Sequence, residues 1–286
     1  MATIAKTIDT LVSDIYKLLD PDYKHDFNKE NVEEFGQRLA DHVSRRLGQS
    51  RNKPTLRLSN IGTPCRRKLW YSINKPDLAE PLPPAARFKF LFGDILEELL
   101  LFLAKEAGHT VEGQQDELNI NGVKGHRDAV IDGRVVDCKS ASTYSFKKFA
   151  TNGLRGDDPF GYIDQLGAYL YAAQEDPAVK ERDVASFLVV DKTLGNIVLD
   201  TYTLNEVDYS SRVGELKEMV TKETPPDRAY EPVPEGKSGN KKLCTACSYC
   251  DYKRECWTGL RTFVYSGGPV FLTEVAKEPK VLEATD

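Results

Sequence analysis

The chain has 286 residues, of which 40% are hydrophobic and 29% charged, and its formal net charge is −5. This length suits one large domain or two smaller ones, and the hydrophobic fraction is sufficient for a buried core. The acidic balance does not single out a nucleic-acid-binding protein, although local basic patches such as Arg66-Arg67-Lys68, Lys147-Lys148 and 237–242 are compatible with one.

Membrane and export signals are not predicted. The longest apolar run, at 99–104, is far shorter than the roughly 20 residues that a transmembrane helix needs. The first residues, Met1-Ala-Thr-Ile-Ala-Lys, lack the apolar segment of a signal peptide. We therefore expect a cytoplasmic protein with no membrane partner, whose six cysteines are reduced or bound to metal rather than paired as disulfides.

Hydrophobic periodicity and turn residues predict an α/β chain. The predicted helices, in chain order, are 3–19, 31–47, 88–107, 157–175 and 205–222. The predicted strands are 110–121, 124–131, 134–140, 184–190 and 196–202. We expect a helical N-terminal extension at 1–55, an α/β domain at 56–258 with a cysteine-rich module at 244–257, and a C-terminal tail at 259–286. The tail beyond residue 266 shows few apolar anchors and is predicted to be an arm, ordered or disordered.

The most informative segment, 125–139, has the pattern of a β-hairpin with acidic residues on one face. Asp132-Gly133 is a two-residue turn signal between two apolar runs. With that turn, the predicted cross-strand pairs are Ile131 with Arg134, Asp128 with Asp137, and His126 with Lys139. Because side chains alternate between the faces of a strand, the last two pairs share one face. Val130, Val136 and Cys138 are predicted to face the core.

Two carboxylates directly opposite each other lie about 5 Å apart and repel. A divalent cation between Asp128 and Asp137 would turn that repulsion into a binding site, because hard cations prefer oxygen ligands. Lys139 would then lie close to a metal-bound water or a phosphate. The alternative is an ordinary solvated face of a surface hairpin, since Asp-x-Lys is a common tripeptide.

Four late cysteines form a second cluster. Cys244, Cys247, Cys250 and Cys256 fall within thirteen residues, with two, two and five residues between successive members. This spacing is typical of metal–thiolate chelation, and its density in a reduced chain argues against a chance group of free thiols. Zinc and an iron–sulfur cluster both accept four thiolates, so spacing alone does not separate them.

The hairpin pattern Gly125-x-x-Asp128 followed by Asp137-x-Lys139 resembles the active-site hairpin of PD-(D/E)XK nucleases. It is most similar to the RecB-like exonuclease branch, which includes CRISPR-associated and viral exonucleases. Two differences are that no proline precedes Asp128 and that the second acid, Asp137, is not Glu, which the pattern permits. The resemblance implies a restriction-endonuclease-like core, with a mixed central β-sheet flanked by helices and a cysteine-clamped C-terminal module.

The cysteines extend the resemblance. Iron–sulfur members of the branch carry a late C-x-x-C-x-aromatic-x-x-x-C motif and an upstream C-x-R element. The chain has the first at 247–256 and the second at 65–67. The resemblance therefore implies a structural four-iron, four-sulfur cluster held by Cys65, Cys247, Cys250 and Cys256, with Cys244 spare. If Cys244 takes the place of Cys65, the module is local and zinc becomes the alternative.

A helix motif of the branch, Q-x-x-x-Y, is matched by Gln165-Leu-Gly-Ala-Tyr169. Four-residue spacing places the two side chains on one helix face. The resemblance implies that Gln165 contacts the substrate backbone or orients Lys139, and that Tyr169 packs or bonds to phosphate. Ordinary buried polar packing is the alternative.

An earlier motif of the branch, G-x-x-x-H-E, resembles Gly93-Asp-Ile-Leu-Glu97-Glu98. In the family the histidine coordinates metal, and here Glu97 occupies its place. Glutamate also binds Mg²⁺ or Mn²⁺, so the resemblance implies that Glu97 is a ligand. An exposed glutamate on a helix is the alternative.

The resemblance implies a metal-dependent DNA exonuclease that acts on single-stranded or free ends in recombination, repair or processing, together with a partner protein. The implied catalytic residues are Asp128, Asp137, Lys139, Gln165 and Tyr169. The implied ligands of Mg²⁺ or Mn²⁺ are Glu97, Asp128, Asp137 and the backbone carbonyl of Cys138. The alternative function is a DNA-binding scaffold or adaptor with a structural zinc or iron–sulfur module and no cleavage.

Overall fold

A computed structural model of the chain describes residues 6–48 and 54–284. It divides into a first unit, Met1–Gly62 with Leu82–Glu215, and a second unit, Thr63–Pro81 with Leu216–Asp286. Both units are therefore discontinuous in sequence. The three-part division predicted above follows the order of the chain and stays a prediction about domains.

The helices and strands alternate in the order expected of an α/β chain. The described α-helices are α1 (Leu11–Leu18), α2 (Lys29–Gly48), α3 (Arg66–Asn74), α4 (Pro84–Glu106), α5 (Thr143–Ala150), α6 (Tyr162–Ala172), α7 (Tyr209–Thr221), α8 (Thr245–Ser248) and α9 (Lys253–Cys256). The described strands are β1 (Val111–Glu112), β2 (Glu117–Ile120), β3 (Val123–His126), β4 (Ala129–Ile131), β5 (Arg134–Ala141), β6 (Val184–Asp191), β7 (Ile197–Thr203), β8 (Val233–Pro234), β9 (Lys241–Lys242), β10 (Arg261–Tyr265), β11 (Gly268–Glu274) and β12 (Leu282–Ala284).

The first unit is built on a five-stranded sheet with the order β1-β4-β5-β6-β7. The central strands β5 and β6 are parallel, and the other neighbours are antiparallel. Strand β6 is an almost continuous buried run, as expected for a strand covered on both faces. This mixed sheet flanked by helices is consistent with the predicted restriction-endonuclease-like core.

Helices cover both faces of this sheet. On one face, α1 and α4 pack through residues such as Leu11 and Leu101 onto Val136, Cys138 and Leu188. On the other face, the rings of Phe149 in α5 and Tyr162 in α6 contact Phe187 of β6. Asp137 pairs with Phe187 across the parallel ladder, so its side chain points to the α5 and α6 side.

The β4–β5 hairpin has the predicted register, with Ile131 opposite Arg134 and Ala129 opposite Val136. Asp132 and Gly133 have φ values of 50° and 91°, the left-handed conformation that a two-residue type I′ turn requires. The Asp132 carboxylate also accepts a 2.9 Å hydrogen bond from the Thr110 amide. The turn is therefore held by its own backbone preference and by a neighbouring segment.

Two details of the predicted hairpin are wrong. Val130 is buried, but it lies two residues from Asp128 and therefore on the same face, whereas Val136 and Cys138 face the α1 and α4 core as predicted. His126 does not pair with Lys139, because it pairs with Glu117 in the separate β2–β3 ribbon.

Arg127 is the physical cause of this change in pairing. Its side chain is only 1% exposed, and its guanidinium forms ion pairs with Asp116 at 2.9 Å and Asp176 at 2.5 Å. The Arg127 amide also donates to the Asp116 carbonyl at 3.3 Å. The chain consequently leaves β5 at this point, and Asp128 lies just beyond the last ladder pair.

Other predicted elements are shorter than expected. The predicted strand 110–121 is broken into β1 and β2 by a turn in which Gly113 and Gln115 have positive φ values of 58° and 60°. Helix α6 begins at Tyr162 rather than at 157, because the Asp158 carboxylate accepts hydrogen bonds from the Tyr162 and Ile163 amides at its first turn. Strands β6 and β7 lie where they were predicted.

The second unit contains an antiparallel sheet with the order β12-β10-β11-β9-β8. Residues beyond 266 supply β11 and β12, so the predicted arm is in fact part of a sheet. The unit also buries Trp70 and Tyr71 of α3 with Tyr252. Along the described residues, none of the helices is both long enough and apolar enough to cross a membrane.

Gly125 marks a close contact that positions α6. A Cβ atom at this residue would lie 2.7 Å from Leu58 Cβ and 3.1 Å from Tyr169 Cε1. We expect Gly125→Ala to lower the free energy of unfolding by about 1–3 kcal/mol, because a packed interior resists added volume. The control is Gly36→Ala in α2, where nothing lies within 4 Å, and helix propensity should raise stability by about 0.5–1 kcal/mol. Urea denaturation of both variants checks this, and a stable Gly125→Ala protein would contradict it.

Candidate active site

Three acidic side chains from different elements lie together at the end of the hairpin ladder. Glu97 comes from α4, Asp128 precedes β4, and Asp137 lies on β5. The Asp128 Oδ2 atom accepts a 2.7 Å hydrogen bond from the Cys138 amide, which fixes this carboxylate against the β5 backbone. Asp137 is fully buried, with 0% exposure.

The charges of these carboxylates oppose one another. Burial raises the pKa of Glu97 to about 7, and the charges of Asp137 and Glu98 add to the effect. Burial also raises the pKa of Asp128 well above its usual range, with further contributions from Glu97 and Asp137. The three acids are thus within electrostatic range of one another, an arrangement that a cation stabilises.

Lys139 provides the positive charge beside them. Its Nζ atom lies 2.5 Å from Asp137 Oδ2 and 5.0 Å from the centre of the Tyr162 ring. Burial alone would lower the pKa of this ammonium, but the charges of Asp137 and Asp128 outweigh burial and raise the pKa above its ordinary value. Lys139 therefore carries its charge at neutral pH.

Helix α6 covers the same point. The Gln165 Nε2 atom lies 3.2 Å from Asp137 Oδ1 and 3.1 Å from the Tyr169 hydroxyl, and it donates to both. Burial raises the pKa of Tyr169, followed by the charges of Asp137 and Asp128, so its phenol stays protonated. Gln165 thus contacts Asp137 rather than Lys139, while the predicted contacts to substrate stay predictions.

Glu97 and Glu98 point to different partners. Glu98 is buried, and its Oε1 atom lies 2.8 Å from His42 Nε2 of α2. The hydrogen bond to Glu98 raises the pKa of His42. Glu97 therefore belongs to the acidic cluster, whereas Glu98 holds α2 against α4.

Gln115 is a site residue that the sequence reasoning missed. Its Nε2 atom donates a 2.6 Å hydrogen bond to Glu97 Oε1, and its backbone amide donates to the Asp128 carbonyl at 3.3 Å. Its φ of 60° is uncommon for a residue other than glycine and costs about 1–3 kcal/mol. Gln115 therefore connects two of the three acidic residues. The only signal in the sequence is that Gly113 and Asp116, both turn-forming residue types, lie inside the predicted strand 110–121.

The donor atoms suit a hard divalent cation. Carboxylate oxygens are the ligands that Mg²⁺ and Mn²⁺ prefer. Asp137 Oδ2 is buried and, apart from its ion pair with Lys139, accepts no hydrogen bond from the described residues. Across residues 6–48 and 54–284, no three His, Cys, Asp or Glu side chains are arranged to hold an ion. Such a cage is not required, since Mg²⁺ commonly uses one or two carboxylates with waters and substrate phosphates.

The second unit brings an early cysteine close to the late ones. Cys65 is the N-terminal cap of α3, and its Sγ atom accepts a 3.4 Å hydrogen bond from the Lys68 amide. Burial raises the pKa of Cys247 to about 12, followed by the charges of Cys244, Cys250 and Cys65. Cys65 is therefore within electrostatic range of the late module. The thiol set is chemically suited to zinc or to an iron–sulfur cluster, and the choice of ligands stays a prediction.

Comparisons with known proteins give one strong result. A sequence model of the PD-(D/E)XK nuclease superfamily matches residues 9–257, which include the acidic cluster, α6 and all the cysteines discussed above. No curated protein matches the chain. Among solved structures, the one titled "Crystal structure of SSO0001" is 17% identical, with 79% of this chain and 96% of that chain covered and a TM-score of 0.42. A likeness at that level carries no argument about function.

We expect Gln115→Asn to weaken Mn²⁺ binding about tenfold to a hundredfold, as loss of a residue that orients a metal ligand typically does. Asparagine tolerates the left-handed backbone, but its amide is one carbon too short to reach Glu97. Titration calorimetry measures the affinity, and the melting temperature should change little. The control is Gln114→Asn, at the neighbouring position in the same turn. Equal Mn²⁺ affinities of the two variants would exclude an orienting role.

A second prediction concerns the metal content of two cysteine variants. Cys65→Ser should lose the bound metal, whereas Cys244→Ser should keep it. Serine is a good helix N-cap, so α3 keeps its cap in Cys65→Ser and the loss reports on the metal. Elemental analysis for iron and zinc and thermal melting of both variants provide the measurement. The reverse pattern, with full metal in Cys65→Ser and none in Cys244→Ser, would show a local module.

Proposed function

Because the chain belongs to the PD-(D/E)XK nuclease superfamily, we propose that it is a metal-dependent deoxyribonuclease that hydrolyses phosphodiester bonds. The observation that carries this proposal is the ion pair of buried Asp137 with partly buried Lys139, which lies beside Asp128 and Glu97 at the end of the hairpin. An ion pair with a purely structural role would not need two further acids within electrostatic range. A site for a cation and a phosphate uses such acids as metal ligands.

Each residue of the cluster has a proposed task. Asp128 and Asp137, with Glu97 and the Cys138 carbonyl, would hold Mg²⁺ or Mn²⁺. The ion supplies Lewis acidity and lowers the pKa of bound water. Lys139 is charged and held over the Tyr162 ring, where it would orient the attacking water or stabilise negative charge on the phosphate. Gln165 would keep Asp137 in position through its hydrogen bond to Oδ1.

The finer proposal is an exonuclease that starts at single-stranded or free DNA ends. The order of the Asp137-x-Lys139 strand and the Gln165-x-x-x-Tyr169 helix, as in the RecB-like branch, supports it. We also propose a four-iron, four-sulfur cluster on Cys65, Cys247, Cys250 and Cys256, with a structural role. Recombination, repair or processing of DNA, alongside a partner protein, is the corresponding biological setting.

Linear and circular substrates test the type of cleavage. The full-length protein is incubated with end-labelled linear single-stranded DNA, linear duplex and circular single-stranded DNA, each with Mg²⁺ or Mn²⁺. An exonuclease shortens the linear strands progressively and leaves the circle intact. Cleavage of the circle would indicate an endonuclease. Binding without any cleavage would replace the nuclease proposal with that of a DNA-binding scaffold.

We expect Asp137→Asn and Lys139→Ala to abolish cleavage while DNA binding persists, because each removes a group placed at the reacting phosphate. The control is Glu117→Gln, which removes an acid of a surface ion pair with Lys124 in the same unit. Single-turnover cleavage, DNA binding and melting temperature are measured on each variant. Melting data matter because breaking a buried ion pair can cost about 3–5 kcal/mol. Folded Asp137→Asn protein with a cleavage rate within tenfold of the parent would rule out the proposed site.

A further inference from the structure

Two aromatic side chains near the candidate site are exposed to solvent. Phe160, in the loop before α6, is 64% exposed, and Tyr144, in the first turn of α5, is 75% exposed. Single exposed apolar residues are common, but these two flank elements that carry the site.

Phe160 is the outer end of a stack of rings that begins in the core. Its ring lies 5.3 Å from the Tyr162 ring, at an interplanar angle of 30°. Tyr162 in turn contacts Phe149 at 6.3 Å and Phe187 at 6.4 Å. The inner rings are packed against β6, so they support Phe160 from below and leave the rest of its surface to solvent.

The same stack leads to the candidate site. The Lys139 ammonium lies 5.0 Å from the Tyr162 ring centre, and the Phe160 ring centre lies 5.3 Å from that same centre. The Phe160 ring centre is therefore at most about 10 Å from Lys139 Nζ, the sum of those two distances. Successive nucleotides advance about 3.4 Å along a stacked strand, so a base next to the phosphate at Lys139 is within reach of this ring.

A basic side chain lies beside one of the exposed rings, that of Tyr144. The Lys148 Nζ atom binds Asp157 Oδ2 at 2.5 Å and lies 5.7 Å from the Tyr144 ring centre. This contact ties α5 to the loop that carries Phe160. Lys147, one residue before, is exposed at the same helix end. Exposed aromatic faces alternating with ammonium groups are the combination that binds single-stranded nucleic acid without sequence preference.

We propose that Phe160 is a stacking platform for one unpaired base of the DNA strand whose phosphate lies at Lys139, and that Tyr144 and Lys147 extend the contact along the strand. This inference rests on the proposed nuclease function and names the form of its substrate. Inside a duplex, both faces of a base are covered by its neighbours, so only an unpaired or terminal base can stack on Phe160. The platform therefore selects single strands and ends.

The test compares Phe160→Ala and Phe160→Trp with a matched control. Phe27 is 57% exposed and stacks on Phe102 at 6.2 Å, as Phe160 does on Tyr162. Its other ring contact is His25, which binds Glu106, and neither Phe27 nor these contacts belong to the candidate site. Binding of a labelled single-stranded oligonucleotide and of a relaxed, covalently closed circular duplex is measured by anisotropy. Divalent metal is left out, so that cleavage does not enter the result.

We expect Phe160→Ala to weaken single-strand binding about fivefold to a hundredfold, the range reported for loss of one base–aromatic stack. Phe160→Trp should restore binding and Phe27→Ala should leave it unchanged. Binding of the closed circular duplex, which offers no unpaired or terminal base, should respond to none of the three substitutions. A second arm moves a single abasic nucleotide along the oligonucleotide. One position should weaken binding to the parent protein but not to Phe160→Ala, because the contact is then already absent.

The two proposals fail in different ways. Equal effects of Phe160→Ala on single strand and duplex, or an abasic penalty that persists in this variant, would overturn the platform. A Phe160→Ala protein that binds and cleaves single strands like the parent would also overturn the platform. The nuclease proposal would stand in that case. If the parent shows the expected binding pattern but cleaves nothing with Mg²⁺ or Mn²⁺, the platform is supported and the nuclease proposal is lost.

Discussion

Repulsion among three carboxylates is the constraint on which the first unit depends. Glu97, Asp128 and Asp137 are brought within electrostatic range of one another, where burial and mutual charge raise the pKa of the first two. The fold opposes this repulsion with several fixed contacts. Lys139 pairs with Asp137, the Cys138 amide binds Asp128, and the strained Gln115 holds Glu97. Because these contacts come from β5 and the β1–β2 turn while Glu97 comes from α4, the cluster requires all three elements to be in place.

Local signals explain which parts of this arrangement could be predicted from the sequence. Asp132-Gly133 determines a hairpin register through backbone preference alone, and the predicted pairs next to the turn are confirmed. The wrong pair, His126 with Lys139, depends on Arg127, whose ion pair with Asp176 joins residues 49 positions apart. Gln115 was missed for the same reason. Its role depends on a hydrogen bond to Glu97 in another element, and not on the residues next to it in the sequence. Long-range polar contacts leave no periodic signal in a sequence.

The second unit shows the same division between local and distant information. Resemblance to a family was needed to associate Cys65 with Cys247, because no pattern near residue 65 points to residue 247. The structure supplies a packing reason for their proximity. The Trp70 indole of α3 donates to the Lys222 carbonyl at 2.8 Å, and Tyr71 stacks on Tyr252 at 5.6 Å. These contacts hold α3 near the late cysteines through the protein alone. A bound metal would then reinforce a connection that side-chain packing already makes.

The net charge of −5 limits how such a protein holds DNA. An acidic chain gains little from long-range attraction to phosphates, so its binding must come from short-range contacts at defined points. A cation between the carboxylates would reverse the local sign where the phosphate approaches. The Phe160 ring, joined to Lys139 through Tyr162, offers a contact that needs no net charge at all. Stacking and local charge at adjacent positions would therefore let the same small surface both hold a strand end and place its phosphate for hydrolysis.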